Sequence, residues 1–241
     1  MEVHAHTHTP RKKWTHYFWE FIMLFLAVFC GFLAENQREH YIEHQREKQY
    51  IKSMVKDLIQ DTINILENIT FNQQILKGKD SLVQLLLSPD TDKFSAVREK
   101  IIYRLFKTYA TSFKEMSFTD RTISQLKSSG SLRLIRSQAA SDSISEYYRL
   151  VTLCQIQGGI AESYSHETII NSFNLFNIYY IIRPDSVPPV LRTKDADKLM
   201  DYTNRLTIDG RAAANYMGKL TRQKAMAKRV FDFLKKEYHL E

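Results

Sequence analysis

Glycine, proline and cysteine are all scarce in this chain. Seven Gly and five Pro among 241 residues fall well below the usual shares of about 7% and 5%, which excludes collagen-like and loop-rich architectures and points to long helices. Two cysteines, Cys30 and Cys154, supply neither a disulfide scaffold nor a Cys-x-x-Cys pair. The common catalytic signatures are missing too: no GxSxG elbow, no Walker A loop, no GxGxxG after a strand and no acidic cluster with metal-ligand spacing. No segment alternates like a half-buried strand over more than a few residues, although Val83–Leu87 and Ile178–Ile182 are short apolar runs that a strand would also fit. With 44% hydrophobic and 25% charged residues the composition is that of a folded chain with one or two packed cores, and it is too polar for a multi-span transporter.

One long apolar run is present, at the start. Arg11, Lys12 and Lys13 precede Trp14, Tyr17, Phe18 and Trp19, and the run then continues from Phe21 to Ala34 with Glu20 as its one charge. As a helix, residues 14–34 span about 31 Å, the thickness of a bilayer hydrocarbon core. Cleavage after Ala34 would place Phe32 where a signal peptidase wants a small residue, so the run reads as an uncleaved anchor. The basic residues stand before the run and Glu35 after it, which by the positive-inside rule puts the N-terminus in the cytoplasm. The expected organisation is a cytoplasmic His-rich tail (1–13), a transmembrane helix (14–34), a polar helical stalk (35–48) and an extracytoplasmic helical domain (49–241).

The expected fold is all-α, with the single N-terminal transmembrane helix followed by a bundle of about six helices. Ile51, Val55, Leu58, Ile59, Ile65, Leu66 and Ile69 recur at three and four residues and predict a helix continuing from the stalk to about Ile75. Further helices are predicted near 80–88, 91–114, 119–129, 137–157, 160–182 and 194–238, with joints at Gly78, Pro89, Gly130, Gly158-Gly159 and Pro184–Pro189. Thr119 and Thr193 suit N-caps, and Gly130 suits a left-handed helix end.

Three stretches carry a resemblance. WEFIMLFLAVFCGFLAENQRE (Trp19–Glu39), TISQLKSSGSLRLI (Thr122–Ile135) and Glu146-Tyr147-Tyr148 resemble a family of bacterial single-span membrane proteins without an assigned activity. The resemblance implies an anchor in the cytoplasmic membrane of a bacterium and a helical exported domain, and names no reaction.

Glu20 is the costly residue, since a carboxylate at the centre of a span is disfavoured by about 2.5–3.5 kcal/mol. At 100° per residue Glu20, Leu24, Ala27, Gly31 and Ala34 share one face, and Ala27-xxx-Gly31 is the small-residue spacing that lets two helices approach closely. That face is the candidate membrane-helix contact, unless Glu20 simply reaches headgroups, Lys13 or His16 at the interface. In the LKSSG string, Leu126 reads as core, Ser128 and Ser129 as donors to a frayed helix end and Gly130 as the reversal; the competing reading gathers Lys127, Arg133 and Arg136 around an anion. Between Gly210 and Phe231 no acidic residue occurs, so Lys219, Arg222, Lys228 and Arg229 are candidate anion or partner contacts.

His4, His6 and His8 alternate in the tail but lack thiolates and a fixed second shell, so no metal site is expected there, and His40 and His44 sit in HYIEH rather than HExxH. Cys154 and His166 would come together only if Gly158-Gly159 made a turn. No cofactor and no catalysis are expected. The expected role is a scaffold or interaction module in the envelope, with the bilayer and a second copy or another membrane protein as partners and nucleic acid out of reach. Two other roles fit the same features: a ligand sensor signalling through a membrane partner, the 13-residue tail being too short for a transmitter, and an auxiliary subunit of an ion-driven complex using Glu20.

Overall fold

The computed structural model describes residues 13–89, 94–183 and 189–240. Among them every regular element is helical, with six α-helices and no strand. It divides into two compact units, Met1–Gln49 and Tyr50–Glu241, and α1 (Trp14–Leu87) contributes to both. The expected series of a span followed by about six bundle helices is therefore simpler in fact. One helix supplies both the apolar N-terminal segment and the first helix of the bundle, and only α4 (Gln138–Ser172) and α6 (Ala196–Glu237) match it in kind. The short elements are α2 (Ala96–Leu105), a π-helical turn (Phe106–Ala110), α3 (Arg121–Ser128), a 3-10 turn (Ser131–Leu134) and α5 (Ile178–Ile182). Both candidate strands, Val83–Leu87 and Ile178–Ile182, are helical.

Two expected joints are not joints. Gly78 lies inside α1, where the π-helical turn carries the ring of Tyr109 into the space that a Cβ would fill. Gly158 lies inside α4, where a Cβ would come 2.6 Å from Glu115 Oε1. Glycine inside a helix costs about 1 kcal/mol relative to alanine, and here it admits a close neighbour. Gly130 does reverse the chain, with φ +65°. The helix starts are set one or two residues beyond the expected threonines. Asp195 caps α6 by accepting from Lys198 N at 3.0 Å, Ser137 accepts from Ala140 N at the start of α4, and Asp120 precedes α3.

Within Tyr50–Glu241 the three long helices enclose two apolar cores. The first gathers Ile51, Met54, Leu58 and Ile65 of α1 with Ile144, Tyr147 and Val151 of α4 and Tyr216, Leu220 and Val230 of α6. The second gathers Leu82 and Leu86 with Tyr103, Phe106, Phe176, Tyr202 and Leu206, and Phe106 stacks on Phe176 with centroids 3.9 Å apart. Along α1 the buried residues between these cores include Asn68, Asn72 and Lys79. Of the apolar positions read as one face, Ile51, Val55, Leu58 and Ile65 are buried, whereas Ile59 and Leu66 are exposed.

Candidate functional site

In the first unit, the stretch from Trp14 to Ala34 is long and apolar enough to cross a membrane, and its side chains are exposed apart from half-buried Ile22. Its faces differ in kind. Phe21, Phe25 and Phe29 stack in a ladder with centroids 6.3 and 5.9 Å apart, and Trp14 stacks on Phe18 at 5.8 Å. With Phe32 these aromatics fall within a stripe of about 80° at helical spacing. Glu20, Leu24, Ala27, Gly31 and Ala34 occupy a second stripe, centred about 140° away by the same geometry. Gly31 has no atom within 4 Å of where its Cβ would stand. Glu20 Oε1 lies 3.1 Å from His16 Nε2, one turn earlier, so the charge nearest the apolar run has a local partner. In the following polar turns Arg38 pairs with Glu35 at 2.9 Å and His44 lies 3.4 Å from Glu47. The sequence positions Arg11 and Lys12 and the tail histidines His4, His6 and His8 lie outside the described residues.

The second unit holds a buried polar seam that sequence reasoning missed. Residues 111–120 form a non-helical strap, and a strap without a partner strand must find other partners for its backbone polar groups. α1 supplies them. Asn68 and Asn72 both donate to Lys114 O, at 3.1 and 2.9 Å, and Asn72 Oδ1 accepts from Lys114 N. Asp61 accepts from Thr119 N at 2.7 Å and from Tyr147 Oη at 2.5 Å. Asp57 accepts from Thr122 N at the start of α3 and pairs with Arg121 at 3.0 Å. Further along, Lys79 donates to Asp209 at 2.7 Å, both side chains being almost fully buried. Burial pushes the carboxyls of Asp61 and Asp209 above the usual carboxylate range; hydrogen bonds from Tyr147 and Thr119 oppose the shift at Asp61, and Lys79 opposes it at Asp209. The seam was legible in principle, because Asp57, Asn68 and Lys79 recur every eleven residues, as do Asp61 and Asn72, and eleven residues are just over three full helical turns.

The LKSSG string folds as its structural reading requires. Leu126 is buried, Ser128 and Ser129 both donate to Gln125 O, and Gly130 makes the left-handed reversal. Lys127, Arg133 and Arg136 are exposed around it. The basic residues of α6 do not form one face: Lys228 lines a groove against α1 together with Lys224, whereas Lys219 lies on the α4 side, where its charge acts on Cys154. Arg222 and Arg229 are exposed and share Lys219's side of the helix by spacing.

The proposed meeting of Cys154 with His166 does not occur. Since α4 runs straight through Gly158-Gly159, the two residues are twelve positions and about 18 Å apart along one helix. The Cys154 thiol is buried, and burial pushes it up to about 11, which makes it a poor nucleophile. Among the described residues no group of three His, Cys, Asp or Glu side chains is placed to hold a metal ion.

Compared with known proteins, the chain matches no family model, no curated protein and no solved structure. The resemblance drawn above accordingly rests on its three sequence blocks.

Proposed function

We propose that the chain is a single-pass membrane protein whose helical domain serves as an interaction or scaffold module without catalysis of its own. The observation that carries this reading is the division of Trp14–Ala34 into a stacked aromatic stripe and a separate stripe of Glu20, Leu24, Ala27, Gly31 and Ala34. Aromatic rings suit lipid and its interfaces, and small residues suit a second helix. In this reading the partner in the membrane is another copy or another membrane protein. The N-terminus lies in the cytoplasm of a bacterium, and the domain lies outside it, away from nucleic acid.

Cross-linking in native membranes tests it. Gly31→Leu adds a side chain into open space, so it leaves the helix and its insertion intact while keeping a partner helix at a distance. Association should fall for Gly31→Leu and stay unchanged for Phe29→Leu on the other stripe. Equal cross-linking of wild type and both variants would reduce the helix to an anchor.

A further inference from the structure

The crevices between the three long helices of Tyr50–Glu241 are finished in different ways. The strap and α3 bridge α1 and α4, held by Asp57 and Asp61 on one side and by Tyr148 Oη, which donates to Thr119 O, on the other. Between α4 and α6, Arg205 of α6 joins Glu167 of α4 at 2.8 Å, a polar closure steadied by Asp201 one turn before Arg205 on α6. Between α1 and α6 the Lys79–Asp209 pair closes one stretch, but alongside Leu58–Ile63 there is neither strap nor ion pair among the described residues. An open groove of about 450 Å³ runs there, with Leu58, Ile59 and Ile63 on one wall and Ala225 and Phe231 on the other.

The chemistry of this groove is one-sided. Thr62 and Thr221 line it, but their hydroxyls donate to Leu58 O and Met217 O within their own helices, so they offer little beyond their methyl groups. The remaining polar lining is Lys224 and Lys228, one turn apart on α6. Lys235 extends the same edge, with its ammonium 5.6 Å from the Phe231 ring centroid. No carboxylate lines the groove, and neither Lys224 nor Lys228 forms an ion pair among the described residues. Beyond the groove the apolar surface continues along α1, where Ile59, Ile63 and Leu66 are 46%, 48% and 51% exposed.

We propose that this groove receives an amphipathic helix of another protein. Its apolar face would lie on Ile59, Ile63, Leu66 and Phe231, and acidic residues one turn apart on its edge would meet Lys224 and Lys228. Such a helix turns three long helices into a four-helix bundle. It covers the stripe as far as Leu66, which a single acyl chain in the groove would leave wet, and it supplies the missing negative charge. A second copy presenting the same surface would set lysines against lysines. The proposal deepens the reading of the chain as an interaction module and places the contact on the domain instead of the span.

The test uses the full chain in zwitterionic nanodiscs and two synthetic helices of about 18 residues. Each has leucine at i, i+3, i+4 and i+7; one carries glutamate along the flanks of that face, the other lysine. Fluorescence anisotropy should show the acidic helix binding at least about tenfold more tightly than its basic twin, with the preference shrinking in salt. K224E/K228E should reverse that preference, and Ile63→Glu should abolish binding of both peptides while leaving helicity and the melting temperature unchanged. Equal binding of the two peptides, no binding of either at about 100 μM, or wild-type binding by Ile63→Glu would overturn the proposal. Displacement of bound acidic peptide by oleate but not by excess unlabelled acidic peptide would assign the groove to a lipid and also overturn it. So would a monomer–dimer equilibrium that Ile63→Glu abolishes. Gly31→Leu should bind the acidic helix as wild type does, so failure of the membrane contact and failure of this one are distinguishable.

Discussion

Gly78 and Tyr109 meet face on: the aromatic ring occupies the space that any side chain at position 78 would need. The contact joins the middle of α1 to the π-helical turn, so each explains the other. Gly78→Ala must push the ring and its turn away, and is expected to destabilise the domain by about 1–3 kcal/mol. Tyr109→Ala should cost less in the Gly78→Ala background than in the wild type, a negative coupling measurable by urea denaturation of the four proteins. Additive losses would mean that the ring does not constrain position 78.

Asp61 offers a second test, because it serves the strap and α4 at once. Asp61→Ala strands the buried Tyr147 O–H, an unsatisfied donor worth about 1–3 kcal/mol, and the partly buried Thr119 N–H. Tyr147→Phe removes the donor together with the need for it, and should cost less. A loss no larger than that of an exposed position such as Asp142→Ala would show that the strap is held by other contacts.

The same carboxylate sets a pH dependence. Its folded-state pKa is raised above the ordinary 3.8 by burial, so just above pH 3.8 the native state keeps a proton that the unfolded chain has lost. Stability from this group is therefore fully present below the unfolded value and is lost as pH rises through the raised folded value. The stability of wild type relative to Asp61→Asn, from urea midpoints between about pH 3.5 and 7, should fall as pH rises through that window. A difference that rises with pH would mean the carboxylate is favoured in its charged form by the fold.

Residues 50–241, expressed alone, should give a soluble, mainly helical domain with one cooperative thermal transition, since both apolar cores lie within them. Circular dichroism and calorimetry check this. An insoluble product, or one rich in strand, would show that the first unit is needed for folding.

Topology is read with reporters fused to the C-terminus. An enzyme active only outside the cytoplasm should be active there, and one active only inside should not, if the basic cluster before Trp14 orients the helix. The opposite result would bring the basic positions of α6 within reach of nucleic acid.

Much of the architecture was legible in the order of residue types. Scarce glycine and proline, apolar spacing at three and four residues and one uninterrupted apolar run are local properties, and they specify helix and an apolar N-terminal segment wherever the chain goes. The Ser-Ser-Gly reversal is of the same kind, because a helix end beside glycine is decided within a few residues. The sequence by itself therefore determined that the chain is all-α, roughly where most helices lie, and that Glu20, Leu24, Ala27, Gly31 and Ala34 share a face.

Tertiary structure decided what each position is for. Gly78 and Gly158 read as breaks because glycine weakens a helix locally, yet the ring of Tyr109 fills the space beside Gly78 and the carboxylate end of Glu115 lies against Gly158. Ile59 and Leu66 read as core because they keep helical spacing, but the neighbour that would bury them is absent from this side of the bundle. Asp57, Asp61, Asn68, Asn72 and Lys79 are polar and carry no apolar signal of burial; they are buried because a strap from more than forty residues away and Asp209 of α6 need partners in the interior. Hydrophobic periodicity reports which face of a helix could be covered, and only the packing of distant segments decides which face is.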